Sequence, residues 1–126
     1  MKWVTHTICM LSIIACINRY LPLSALSICV GVFGSLAPDI IERSLFLKHR
    51  NKHVHNFLTG LTTLFVLSVI DPSLFTLGLG YVHHLMLDIT KGGVYAGKER
   101  IKSPLESKNA LHNVLMILLH LFFIFM

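Results

Sequence analysis

Charge is what this sequence has least of. Only 13% of its 126 residues are Asp, Glu, Lys or Arg, while 54% are hydrophobic. A soluble domain carries roughly a quarter charged residues. So apolar a chain does not suit an ordinary soluble domain, and a bilayer is the natural solvent for the excess. Acidic residues are scarcer still, six against eleven Lys and Arg, and the formal net charge is +5. In a soluble protein that imbalance would suggest nucleic acid. Here the basic residues fall in short loops between apolar segments, so no nucleic acid is expected and they read as topology signals and contacts to lipid headgroups. Cysteine is limited to Cys9, Cys16 and Cys29, all inside apolar segments and never as CxxC. That argues against a disulfide framework or a thiolate zinc site and for small buried apolar residues. Cys9 and Cys16, seven apart, share one helix face. The apolar run at 8–17 imitates a signal peptide, but no small-x-small cleavage site follows, since Asn18, Arg19 and Tyr20 come next. The segment therefore reads as a retained helix. Internal repeats and low-complexity linkers are lacking too, which leaves a single domain over 1–126.

What is present is a series of five apolar stretches, at about 3–20, 23–41, 54–70, 73–89 and 110–126. Each is about 17 to 19 residues, the short end of what crosses a hydrocarbon core of ~30 Å. Spans in lipid must satisfy their own backbone groups, so helices are required. The expected fold is all-α, an integral membrane bundle of about five transmembrane helices. Leu21-Pro22 separates the first two stretches and Asp71-Pro72 the third and fourth, which predicts two tight antiparallel hairpins. Pro38, near the end of the second stretch, is expected to bend that end inward. Ten of the eleven basic side chains (Lys2, Arg43, Lys48, Arg50, Lys52, Lys91, Lys98, Arg100, Lys102 and Lys108) fall on one side of this topology, and only Arg19 falls on the other. The positive-inside rule then puts the N-terminus and both long loops in the cytoplasm and the C-terminus outside, in a plasma or inner membrane.

Imidazoles follow the same face, although Lys and Arg alone set the orientation. His6, His49, His53, His55, His83, His84 and His112 all fall at the cytoplasmic side, and only His120 lies deep or nearer the far side. His84 and Asp88 are four apart and project from one helix face, where they can share a metal or the carboxylate can orient the ring. An ionisable pair inside an apolar helix is expensive and usually functional. The plainer reading is an interfacial pair at a helix end. Asp39 and Glu42 share a face if the helix continues past Pro38; the plainer reading is a solvated helix end. The segment 49–56 holds three histidines, Arg50 and Lys52. As a simple basic segment it would bind anionic headgroups, whereas its imidazoles favour metal or phosphate chemistry.

Taken in order, these elements resemble the family of LexA-regulated, membrane-bound, metal-dependent hydrolases over nearly the whole chain. The elements are Thr5-His6, Pro38-Asp39, His49-Arg50 leading to His55-Asn56, Gly80-Tyr81-Val82-His83-His84 with Asp88, and Gly93-Val94-Tyr95 followed by Arg100-Ile101-Lys102. The chain departs from the pattern in three places. Asp39 is followed by Glu42 rather than by an acid two positions on. The loop histidines are four or six apart rather than five. Thr90-Lys91 replaces a Thr-Pro. A looser similarity to zinc-dependent phospholipase C, which also uses His and Asp on helices, is an analogy only.

The resemblance implies a site of one or two divalent metals, zinc first and manganese or iron otherwise, at the cytoplasmic interface. The expected ligands are His6, Asp39, His55, His84 and Asp88. Among the loop histidines His49, His53 and His55, the last is favoured because Asn56 follows it at the start of the third helix. His112 and Asn113 stand behind the ligands. Glu42 is the expected general base, with His49 as the alternative, and Arg50 with Lys52 would clamp a phosphate. Depth at the headgroups suggests hydrolysis of a phosphoester or lipid-like substrate. Membrane lipids are the expected partners, and self-association stays open. The rival reading is a non-catalytic multi-pass protein whose basic, His-rich loops bind anionic lipid or a partner. A secondary transporter is a third, and a chain this short would need to oligomerise for it.

Overall fold

The computed structural model describes residues 3–91, 93–101 and 110–125. Lys2, Lys102, Lys108 and Met126, used above for topology and motifs, lie outside the described residues. The described residues are mostly helical and form six α-helices: α1 Trp3–Asn18, α2 Ala25–Gly34, α3 Ala37–Ser44, α4 Phe57–Ile70, α5 Phe75–Lys91 and α6 Ala110–Phe125. A 3-10 turn, Pro72–Leu74, precedes α5. Between α5 and α6 lies a feature the sequence did not announce, an antiparallel hairpin of β1 Val94–Ala96 and β2 Glu99–Ile101, with Tyr95 opposite Arg100. Strands of three residues are too short to register as alternation.

Local chemistry explains the boundaries. Ser24 caps α2 by accepting from the Ser27 amide, and Asn56 caps α4 by accepting from the Leu58 amide. Asp71 ends α4 and accepts from the Ser73 amide at 2.8 Å, so the α4–α5 connection is the tight hairpin expected. The stretch expected as one helix at 23–41 is instead two, α2 and α3, bent by 57° at the break. Pro38 has no amide to continue the ladder and its fixed φ suits only a first helical turn, so the chain restarts there as α3.

α1 and α4 are shorter than the apolar stretches expected there, whereas α5 keeps the expected 17 residues and lies two positions further on. Among the described residues no single helix is long and apolar enough to cross a membrane, and only the bent α2–α3 pair passes that test jointly. At 1.5 Å per residue the 17 residues of α5 reach about 26 Å.

α5 is the central helix. It lies between α2 and α4, while α6 rests mainly on α1. At the α2–α5 crossing the backbones nearly touch: a Cβ on Gly80 would stand 2.2 Å from the Gly31 carbonyl oxygen, and one on Gly34 would stand 2.2 Å from that of Leu77. Only glycine permits this approach. A small core of Ala37, Tyr81, Leu85 and Val94 closes the end of the bundle that carries the β-hairpin.

Candidate metal centre

Five side chains from four parts of the chain meet beside that core. His6 comes from α1, Asp39 from the first turn of α3, His55 from the segment before α4, and His84 and Asp88 from successive turns of α5. These are the five residues expected as ligands. His6, His55 and His84 are fully buried and Asp88 is 2% exposed. The His6 and His84 rings stack with centroids 4.0 Å apart. His55 Nε2 lies 3.2 Å from His84 Nε2 and 3.5 Å from both Asp39 Oδ1 and Asp88 Oδ2. His6 Nε2 lies 3.5 Å from Asp88 Oδ1, and His84 Nε2 lies 3.7 Å from Asp39 Oδ1. Two overlapping triads, His6–His84–Asp88 and Asp39–His55–His84, each have donor atoms within 4.8 Å of one another.

The outer nitrogens of two rings are fixed. His84 Nδ1 donates to the Ser35 carbonyl at 2.7 Å, and His55 Nδ1 donates to Glu42 Oε1 at 2.6 Å. Each bond leaves Nε2 bare and turned to the centre, as a metal-binding histidine requires. Two bare nitrogens 3.2 Å apart repel unless a proton or a cation lies with them. Both ring nitrogens of His6 and Oδ1 of Asp39 are buried without a hydrogen-bond partner. Orphaned donor atoms converging on one point fit a divalent cation, with three imidazoles and two carboxylates available to it.

Glu42, expected as the general base, is held in a hydrogen-bond network. It is 3% exposed, and its carboxylate accepts from His55 Nδ1, from the Arg50 amide at 2.8 Å, from the Asn51 amide at 2.5 Å and from His49 at 3.2 Å. So occupied, it orients His55 and closes the 49–51 turn. His49 is mostly exposed and shares a cavity of about 380 Å³ with Trp3, Asp39, Glu42, Arg43 and Leu47, which opens onto the cluster. His53 is exposed and stands apart from the centre. Arg50 adopts a left-handed backbone (φ +61°), and its Nε reaches 3.6 Å from Asp88 Oδ2. His83 points elsewhere and meets His120 at 3.3 Å. Asn113 meets Thr5 at 3.5 Å, beside His6.

Sequence reasoning missed two participants, Ser35 and Trp3, and gave Asn56 no part in holding a hairpin. The Ser35 carbonyl orients His84; as the cap of α2 it lies outside the helical ladder, a consequence of the break that Pro38 signals. Trp3 Nε1 donates to Asp39 Oδ2 at 3.1 Å, with Arg43 5.7 Å from the indole centroid. Trp3 precedes His6 by three, so their shared helix face was the available signal. Asn56 holds the β-hairpin, donating to the Gly97 carbonyl at 2.9 Å and accepting from its amide at 3.2 Å. Tyr95 donates its amide to the His55 carbonyl at 2.8 Å, so the hairpin is anchored on a residue of the cluster. Comparison with protein-family models, curated proteins and solved structures finds no match to this chain.

Proposed function

We propose that this protein is a membrane-embedded, metal-dependent hydrolase acting on a phosphoester, at the cytoplasmic face. The observation that carries the reading is the convergence of His6, Asp39, His55, His84 and Asp88, with buried atoms of His6 and Asp39 lacking hydrogen-bond partners, beside an open cavity. Three nitrogens and two carboxylates suit zinc, and also manganese or iron. A divalent cation there would lower the pKa of a coordinated water and polarise a phosphoryl oxygen. Ser35 and Glu42 hold the two rings that face it. His49 sits at the cavity with Nδ1 on Glu42 and is the general base, since the carboxylate itself is fully engaged.

The distribution of polarity supports the membrane setting. Among the described residues twelve buried side chains are polar or charged against ten hydrophobic, while 24 large hydrophobics are exposed. That is the reverse of a soluble domain, and apolar surface of this extent needs a cover. The one-sided Lys and Arg count supports the cytoplasmic orientation.

Elemental analysis of detergent-purified protein tests the centre. Stoichiometric metal is expected, retained in His120→Ala and lost in His84→Ala or Asp88→Ala. Equal retention in all three would remove the site. Metal without turnover of any phosphoester would leave a structural metal centre and favour the non-catalytic reading.

A further inference from the structure

Beside the metal cluster is a second cavity, of about 300 Å³, with a different character. Lys48, Arg50 and Lys52 from the loop before α4 line it, and Tyr95 and Arg100 from the hairpin close it. Among the described residues lining it none is acidic. Tyr95 and Arg100 are register partners, so their side chains share one face of the hairpin. The wall is held firmly, because Asn56 bonds both backbone groups of Gly97 and His55 accepts from the Tyr95 amide.

Two residues belong to this cavity and to the metal centre at once. His49 lines both the basic cavity and the one that opens onto Asp39. Arg50 lines the basic cavity, yet its Nε stands 3.6 Å from Asp88, and it has no hydrogen-bond partner there. Its left-handed backbone is a strained choice for a residue with a side chain, held in place by the bond from its amide to Glu42. The effect is to turn one guanidinium inward as a partition while Lys48 and Lys52 stay exposed. A plain headgroup-binding patch needs neither the strain nor the partition.

We propose that the basic cavity binds a phosphate group adjoining the one presented to the metal centre, so that the substrate is a diphosphate ester. This rests on the hydrolase reading and adds the substrate class. Water adds its oxygen to the phosphorus at the metal centre and passes a proton to His49. The bridging P–O bond breaks, and its electron pair leaves on the second phosphate, in the basic cavity. The products are one phosphate monoester and inorganic phosphate. Cations fixed where charge accumulates on the leaving group favour that step. Arg50, planar and multiply donating, is suited to touch both groups.

The test is calorimetric binding of methylenediphosphonate and of methylphosphonate to the detergent-purified protein, zinc-loaded and zinc-free. The wild type is expected to hold the diphosphonate at least about tenfold more tightly. Lys52→Ala with Arg100→Ala should erase the preference, each lost charge weakening the diphosphonate roughly fivefold, as for one charge pair at about 4 Å in water. In the zinc-loaded protein, where the metal centre takes the single phosphonate, methylphosphonate affinity should be unchanged, as should zinc affinity. No preference in the wild type, or equal weakening of both ligands in the double variant, would overturn the proposal. Should zinc fail to bind while the zinc-free protein still prefers the diphosphonate and the double variant loses that preference, the hydrolase reading falls and the anion cavity stands. A long-chain alkyl diphosphate binding more tightly than inorganic pyrophosphate assigns a lipid source, and equal binding assigns a soluble one; both keep the diphosphate.

Discussion

Replacing Gly80 with alanine puts a Cβ where the backbone of α2 already lies, 2.2 Å from the Gly31 oxygen and 2.7 Å from the Ser35 nitrogen. Neither neighbour is a flexible side chain, so α2 and α5 must separate. Reaching an ordinary contact of 3.4 Å from the Gly31 oxygen takes about 1.2 Å. His84 is one turn further along α5, and its Nδ1 reaches the Ser35 carbonyl at 2.7 Å. The same displacement stretches that bond to about 3.9 Å, beyond hydrogen-bonding range. His84 then loses the partner that fixes its tautomer, and metal affinity should fall by about 10- to 100-fold. Overpacking should also lower stability by about 1–3 kcal/mol. Zinc titration against a competing chelator reads the first effect and thermal unfolding the second. Gly78→Ala separates them, because its Cβ would meet Leu64 on α4, at 2.4 Å, rather than α2. It should lose stability with little loss of zinc affinity. Wild-type zinc affinity in folded Gly80→Ala would refute the argument that the glycine crossing sets the ligand.

Glu42→Gln, which keeps shape but loses the charge that orients His55, should weaken metal binding about 10- to 100-fold and speed hydrogen exchange at the Arg50 and Asn51 amides; unchanged exchange would return Glu42 to a role at the substrate. Asn56→Ala should cost about 1–2 kcal/mol from the lost α4 cap, with further loosening of the hairpin, read by thermal unfolding and by exchange at the Gly97 amide. Arg50→Lys keeps the charge but loses the planar fork, so turnover should fall, and a silent substitution would remove Arg50 from the phosphate. A reporter fused to the C-terminus should behave as non-cytoplasmic and one inserted at the Gly97-Lys98 turn as cytoplasmic; the opposite pair of signals would invert the charge argument.

How far the site could be read in advance depended on the kind of information each residue carries. His84 and Asp88 were legible because helical spacing converts directly into a shared face. His6, Asp39 and His55 are far apart in the chain, and nothing in periodicity brings them together; the ordered motif set grouped them. The part played by Glu42 was not legible, because it depends on two loop amides, of Arg50 and Asn51, that no side-chain pattern encodes. The β-hairpin escaped for the same reason, since its attachment runs through the backbone of Gly97. In the second stretch, apolar run length overstated helix length. The sequence stays free of charge through Ser35 and Leu36, but the hydrogen-bond ladder breaks there, and Pro38 was the sign of it.

The cluster draws its members from residue 6 to residue 88, on elements that have no reason to be near one another before the chain folds. A cation held there ties the far ends of that stretch together, and it does so only in the folded state. Free cation at a hundred times its dissociation constant would shift the folding equilibrium by about 2.7 kcal/mol, a sizeable share of the stability of a domain this small. Of the described helices, α6 supplies none of the five donors, so it gains from this tie only through its seat on α1. Metal supply would then set how much of the protein survives as well as how much of it works. A chain left unloaded would be the one exposed to proteolysis, making the abundance of the protein a record of the cell's metal status.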